Sequence, residues 1–305
     1  MRRDRVLTRL LLMLLALGGF VRADAEVMFE ATTPYHHIRV IDEGGVRVLS
    51  FDDSMETRMS LANPLQGHFE YTEYFHTPWL WNTQMSNVLM VGLGGASTQR
   101  SFAHYYPALN LETVEIDPVV LQVAKDYFHF VESPRQSVHL EDGRVFLRRT
   151  QKRYDVILMD AYTEGRYGSA LPQHLATKEF FMLASDRLTT NGVLAYNVIG
   201  GFNGWRSDLL GALYKTLKTV FPQVYLFPAT ESRNVVLIAA KSSARTDFNL
   251  LLQRAGTLVQ QRRVTLPTFH KRLYAIRTAP PVTAHAAPIL TDDFAPVEGL
   301  ANSKQ

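Results

Sequence analysis

The chain has 305 residues, 46% of them hydrophobic, a formal net charge of +3 and no cysteine. That length and apolar content allow one large domain, or one with a smaller companion. Without cysteine there is no disulfide, no thiolate metal site and no thiol nucleophile.

Residues 1–25 read as a signal peptide. Arg2, Arg3, Arg5 and Arg9 precede an apolar run from Leu10 to Val21, and Ala23-Asp24-Ala25 supplies a small-x-small cleavage pattern. The mature chain then starts at Glu26 and is periplasmic or secreted. Left uncleaved, the same segment would anchor the protein to a membrane by its amino terminus. Removing it takes five arginines and two aspartates from the 32 basic and 29 acidic residues, leaving 27 of each. A formally neutral mature chain gives no argument for a nucleic-acid partner.

Residues 26–81 are expected to form an amino-terminal β-hairpin domain with a connecting helix. VMFEAT, YHHIRVID and VRVLSF read as strands, with Glu43-Gly44-Gly45 as a hairpin turn. Residues 59–67, with Asn63-Pro64 and Gly67, read as loop. Phe69 to Trp81 reads as a helix whose Tyr71, Tyr74, Phe75 and Trp79 pack one domain on the other.

Residues 82–300 carry strands alternating with helices, the pattern of a Rossmann-like α/β fold whose mostly parallel sheet is covered on both faces. Val88 to Val91 is a buried strand, closed by a turn at Gly92, Gly94 and Gly95; a helix starting there presents free N–H groups to a ligand above the strand. About twenty residues on, the next strand ends in Glu115 and Asp117, where a carboxylate can bond ribose hydroxyls. Pro118 to Phe130 is a helix. The strand at 137–141 ends in Glu141-Asp142-Gly143, and Tyr154 to Met159 ends in Asp160. Leu175 to Leu188 and residues 206–220 are helices, with VLAYNVI, VYLFP and NVVLIAAK as the last strands. Ligands of such sheets lie over the carboxyl ends of the strands, so Glu115, Asp142 and Asp160 should face one crevice and hold a nucleoside.

Other chemistries find less support. Ser97 stands where the third glycine of a dinucleotide fingerprint belongs, which disfavours a nicotinamide dehydrogenase, and there is neither G-x-S-x-G nor H-E-x-x-H. His36 and His37 are adjacent in a strand and point to opposite faces, so no metal is expected there.

Val88 to Gly95, Val114-Glu115-Ile116-Asp117, Glu141-Asp142-Gly143-Arg144 and Tyr154 to Asp160 together resemble the core of spermidine synthases, the polyamine aminopropyltransferases. Phe69-Glu70-Tyr71-Thr72-Glu73 and the front hairpin layer are similar too. The resemblance implies the fold of class I S-adenosylmethionine-dependent methyltransferases, with a seven-stranded sheet, and a homodimer formed through the front layer and the helix near Tyr71. It implies decarboxylated S-adenosylmethionine (or S-adenosylmethionine) as co-substrate, and a small-molecule amine as acceptor. Gly92, Gly94, Gly95, Glu115, Asp117, Asp142 and Gly143 would bind the donor, with Asp160 and Tyr71 catalytic. His36, Glu73, Tyr162 and Glu164 would bind the amine.

Departures mark a divergent branch. Gly95 stands where the family carries an aspartate, and Asp160-Ala161-Tyr162-Thr163-Glu164 replaces Asp-Ser-Ser-Asp-Pro, so a second amine-binding carboxylate is missing unless Glu164 substitutes. Two competing readings are methyl transfer from S-adenosylmethionine and a non-catalytic exported scaffold that binds a nucleoside or a partner; export supports the scaffold, because neither sulfonium donor is expected outside the cytoplasm.

Overall fold

A computed structural model describes residues 25–52, 54–165, 168–244 and 246–302. The expected signal peptide therefore lies outside the described residues, apart from Ala25. None of the described helices is long and apolar enough to cross a membrane.

The chain begins with an antiparallel sheet of four consecutive strands, β1 (Glu26–Thr32), β2 (His37–Glu43), β3 (Val46–Phe51) and β4 (Ser54–Ser60). No strand is expected there, and its last two residues, Met59 and Ser60, fall in the stretch expected to be loop. Its sequence, SMETRMS, buries Thr57 and Met59 and leaves Glu56 and Arg58 beside them half-buried. Glu70–Leu80 follows as a 3₁₀ helix. A helix with an aromatic face is expected there, yet every residue in it is buried. Thr72, Thr77 and the internal Pro78 weaken α-helical geometry.

The second sheet has seven strands: β5 (Asn87–Val91), β6 (Asn110–Glu115), β7 (Gln136–Leu140), β8 (Tyr154–Met159), β11 (Leu188–Ile199), β12 (Gln223–Pro228) and β13 (Asn234–Ala240). A hairpin of β9 (Thr163–Gly165) and β10 (Gly168–Ala170) stands apart from it. The spatial order is β12-β13-β11-β8-β5-β6-β7; β11, β8, β5, β6 and β7 are parallel, and only β13 opposes its neighbours. This is the mostly parallel Rossmann-like sheet expected from the alternating pattern.

Helices α1 (Ser97–Tyr105), α2 (Pro118–Tyr127) and α3 (Gly143–Arg149) follow β5, β6 and β7. Side chains alternate through β5: Leu89 and Val91 enter one core with Phe180, Phe181 and Leu213, while Val88 and Met90 enter the other with Tyr74, Phe75 and Leu251. A strand apolar on both sides is what two covering layers require. A third core joins the sheets, with Ile38, Val40 and Leu49 against Val120, Val123 and Phe128.

Candidate active site

The tips of β5, β6, β7 and β8 end in register: Val91 pairs with Val114 and Met159, and Glu115 with Leu140. Residues just past those tips thus surround one hollow. Gly92 makes the close approach possible. Its φ is +103°, and a Cβ there would overlap the carbonyl of Asp160, whose own N–H donates to Val91 O at 2.9 Å.

Above the tips lies a cavity of about 490 Å³. Its wall includes Gly92, Gly94, Glu115, Asp142, Gly143 and Asp160 from the large sheet, Tyr71 from the 3₁₀ helix, and His36 and Glu56 from the front sheet. Glu56, Glu115, Glu141, Asp142 and Asp160 all line it, and among the described lining residues none is Lys or Arg. Such a wall favours a cationic ligand.

Asp160 is held by two donors. Tyr71 OH donates to Oδ2 at 3.1 Å and Asn197 Nδ2 to Oδ1 at 2.8 Å. Asn234 Nδ2 donates to Asn197 Oδ1 at 3.1 Å, which fixes the amide so that its nitrogen faces the carboxylate. Burial nevertheless pushes the Asp160 carboxyl up to about 6, outweighing both bonds. Burial, with the charges of Asp160 and Glu56, pushes Tyr71 well above the usual phenol value, so it stays a donor.

Glu115 accepts from Leu93 N–H at 3.0 Å and Asp117 N–H at 2.9 Å, and burial pushes it up to about 7 in spite of them. Asp142 caps α3 through Arg144 and Val145 N–H, both at 2.9 Å, while its other oxygen faces His174 Nε2 at 2.8 Å. The His174 hydrogen bond heads the causes that hold its carboxyl below the usual range.

Three expected site residues fall elsewhere. Asp117 is a helix cap: Oδ1 accepts from Val119 N–H at 2.9 Å and Oδ2 from Thr33 Oγ1 at 2.6 Å, tying the front layer to α2 outside the cavity wall. Gly95 has no share in the cavity wall. Its N–H donates to Thr57 Oγ1 at 2.9 Å, and a Cβ would come within 2.6 Å of Thr57 Cγ2. Glu73 is consumed by His68 Nε2 at 3.0 Å and Arg272 Nε at 2.5 Å; these bonds overcome burial to draw it down to about 2. It has no share in the cavity wall.

Tyr162 lines the cavity with its ring only, since its hydroxyl donates to Asn197 O at 3.0 Å and accepts from Ile199 N–H at 3.0 Å. His36 stacks on Phe51 at 4.3 Å, within the wall. Glu164 pairs with Ser169 along the β9–β10 hairpin, and its side chain lies outside the described set.

Sequence reasoning missed Glu56, Asn197 and Gln99. Gln99 Nε2 donates to Gly92 O at 3.2 Å, while its buried Oε1 has no hydrogen-bond partner among the described residues. An unsatisfied acceptor in the wall fits a site completed by a ligand that donates. Position within β11 marks Asn197: it is the polar side chain in VLAYNVI, one residue past the pairing of Tyr196 with Met159. Glu56 carried no signal, because no element is marked by the sequence between Phe51 and the stretch at 59–67.

An in-register parallel sheet with acidic tips and a glycine turn under one cavity defines an α/β protein of the class I methyltransferase fold. Residues 68–244 match the spermine/spermidine synthase domain, more than half of the chain, and the protein belongs to that family. A polyamine aminopropyltransferase of Vibrio vulnificus is 29% identical over 299 residues, spanning 93% of this chain and 94% of that one. The eEF1A lysine and N-terminal methyltransferase of Xenopus laevis is 31% identical over 183 residues, which is 58% of this chain and 26% of that one. In fold, the chain is similar to spermidine synthase from Thermotoga maritima, with a TM-score of 0.65 at 20% identity over 84% of each chain.

Proposed function

We propose that this protein transfers an aminopropyl group from decarboxylated S-adenosylmethionine to a small-molecule amine. The observation that carries the reading is Asp160, held between Tyr71 and Asn197 in a wall of five carboxyl groups without Lys or Arg among its described residues. A near full-length relative named for the same reaction supports it. The relation to a methyltransferase covers a smaller share of the chain.

In this reading Glu115 accepts from the ribose hydroxyls, while Asp142 and Gly143 meet the base. The amine nitrogen, freed of its extra proton, attacks the carbon beside the sulfonium. An N–C bond forms, the C–S bond breaks, its electron pair stays on sulfur, and methylthioadenosine leaves as a neutral thioether. The proton shed by the amine passes to Asp160 and then to solvent. Tyr71 orients the attacking nitrogen.

Product analysis with decarboxylated S-adenosylmethionine and an amine tests the reading. Asp160→Asn is expected to lose about 10²–10⁴ of the rate while still binding methylthioadenosine, and the native rate to fall as pH drops below about 6. Undiminished transfer by the variant would remove Asp160 from the mechanism.

Export through residues 1–25 and assembly as a homodimer through the front sheet belong to the same proposal. The arginine-led apolar run supports the first. Cell fractionation with mass measurement of the native chain, and sedimentation of the purified protein, test the two.

A further inference from the structure

Gln99 lies in the first turn of α1, is fully buried, and lines the main cavity beside Gly92. What its nitrogen meets fixes how the amide is turned. Nε2 donates to Gly92 O at 3.2 Å and to Thr113 Oγ1 at 3.4 Å, whereas an amide oxygen in that place would set one acceptor against another at the Gly92 carbonyl. Oε1 is therefore the end left over, buried and without a hydrogen-bond partner among the described residues. Gly92 also packs against the Asp160 carbonyl, which a Cβ at position 92 would overlap. A single glycine thus separates the Gln99 amide from the backbone of Asp160.

We propose that Gln99 is a specificity-determining residue for the donor, its Oε1 accepting a hydrogen bond from the ammonium at the far end of the aminopropyl arm. The inference rests on the aminopropyl-transfer reading and deepens it. That reading puts the attacked carbon of the arm beside Asp160, and the Gln99 amide stands one glycine away. No acid at position 95 is there to take the arm's nitrogen. A buried acceptor left unmet has given up its hydration for nothing, so a ligand that donates to it gains on binding, and a charged donor gains more than a neutral one. The wall already carries Glu56, Glu115, Glu141, Asp142 and Asp160, so the countercharge for the ammonium comes from carboxylates and its direction from the amide. An arm tied at Gln99 also keeps the donor's own amine off Asp160, which the acceptor amine needs.

Calorimetry with the native protein and Gln99→Leu reads this without catalysis. The probes are decarboxylated S-adenosylmethionine, the same sulfonium with n-propyl in place of aminopropyl, and methylthioadenosine, which has no arm. Native protein is expected to prefer the aminated sulfonium, and Gln99→Leu to weaken its binding by on the order of tenfold to a hundredfold while the propyl sulfonium and methylthioadenosine bind as before. The substitution removes an unmet acceptor together with its amide, so the variant is expected to fold; methylthioadenosine affinity checks this, and Gln99→Met repeats the reading in a second shape. Equal native affinities for the two sulfoniums would overturn the proposal without any variant. So would an unchanged affinity for the aminated sulfonium in the variant, the mark of an oxygen that meets only a buried water, or equal losses for all three probes in both variants. Each of these leaves transfer, read from its product, standing. Selective binding of the aminated sulfonium without product sinks the reaction and keeps Gln99, and a native protein that binds methylthioadenosine but neither sulfonium sinks both.

Discussion

Gly95 shows how one position can rule out a chemistry that its neighbours invite. The family resemblance puts an aspartate there, to hold the donor's amino end, and the natural repair would be Gly95→Asp. The structure predicts that this repair fails. The space a Cβ would enter is taken by Thr57 Cγ2 at 2.6 Å and Phe128 Cδ1 at 2.9 Å, and Arg100 Nη1 already donates to the Gly95 carbonyl. Forcing a side chain into that packing is expected to cost about 1–3 kcal/mol of stability and to leave donor affinity no better than in the native protein. Urea denaturation and calorimetry with decarboxylated S-adenosylmethionine read the two quantities; tighter donor binding would show that the loop can turn its 95 position toward the cavity. Any amino end of the donor must therefore meet groups from other elements of the cavity wall.

The 3₁₀ helix Glu70–Leu80 carries Tyr71 to Asp160, and Glu70 pins the start of that helix. Its Oε2 accepts from Thr230 N–H at 2.6 Å, Thr230 Oγ1 at 2.7 Å and Glu231 N–H at 3.0 Å, while Oε1 accepts from Tyr74 OH at 3.0 Å and pairs with Arg272 at 2.5 Å. Only 3% of Glu70 is exposed. Glu70→Ala should leave Arg272 short of a partner and those donors unsatisfied, lowering stability by about 3–5 kcal/mol; an unchanged denaturation midpoint would mean the loop at Thr230 holds itself. Little of this was legible in the sequence, where Glu70 and Glu73 look alike and the aromatic spacing suggests an amphipathic α-helix. A segment buried on every side has no polar face, so helical periodicity says little about its geometry. The large sheet was legible for the opposite reason: β5 and β8 are short apolar runs closed by a glycine and an acid, and Glu115, Asp142 and Asp160 could be placed at the strand tips from spacing alone. The front strand holding Glu56 was not, because SMETRMS is mostly polar and carries no apolar run to mark a strand. Asp117 was read as a ligand because a cap and a ribose contact ask for the same residue at the same place.

At the scale of the whole molecule, the carboxyl groups gathered for a cation make the ligand-free protein sensitive to pH in an unusual direction. Glu56 and Glu115 are pushed up to about 7 and Asp160 to about 6, in each case chiefly by burial. Above the ordinary carboxylate range, near pH 4–5, the unfolded chain has released these protons while the folded protein still holds them, so stability falls as pH rises toward 7. His76 opposes this: burial draws it down to about 3, so it stays neutral when folded and favours the folded state more as pH climbs to its ordinary value of 6.5. Three carboxyl groups outweigh one imidazole through most of the window, and above pH 6.5 the imidazole no longer contributes. Glu73, held at about 2, and Asp142, held low, lose their contribution only at lower pH, below the ordinary carboxylate range. The melting temperature without ligand is therefore expected to drop by roughly 5 °C between pH 5.5 and 7.5. Saturating decarboxylated S-adenosylmethionine, whose charges compensate the same carboxylates, should flatten that slope as well as raise the curve. Scanning calorimetry across the range, with and without the donor, checks both; a melting temperature that climbs steadily from pH 5.5 to 7.5 in the empty protein would mean that the cavity's carboxyl groups ionise without a cation to meet them.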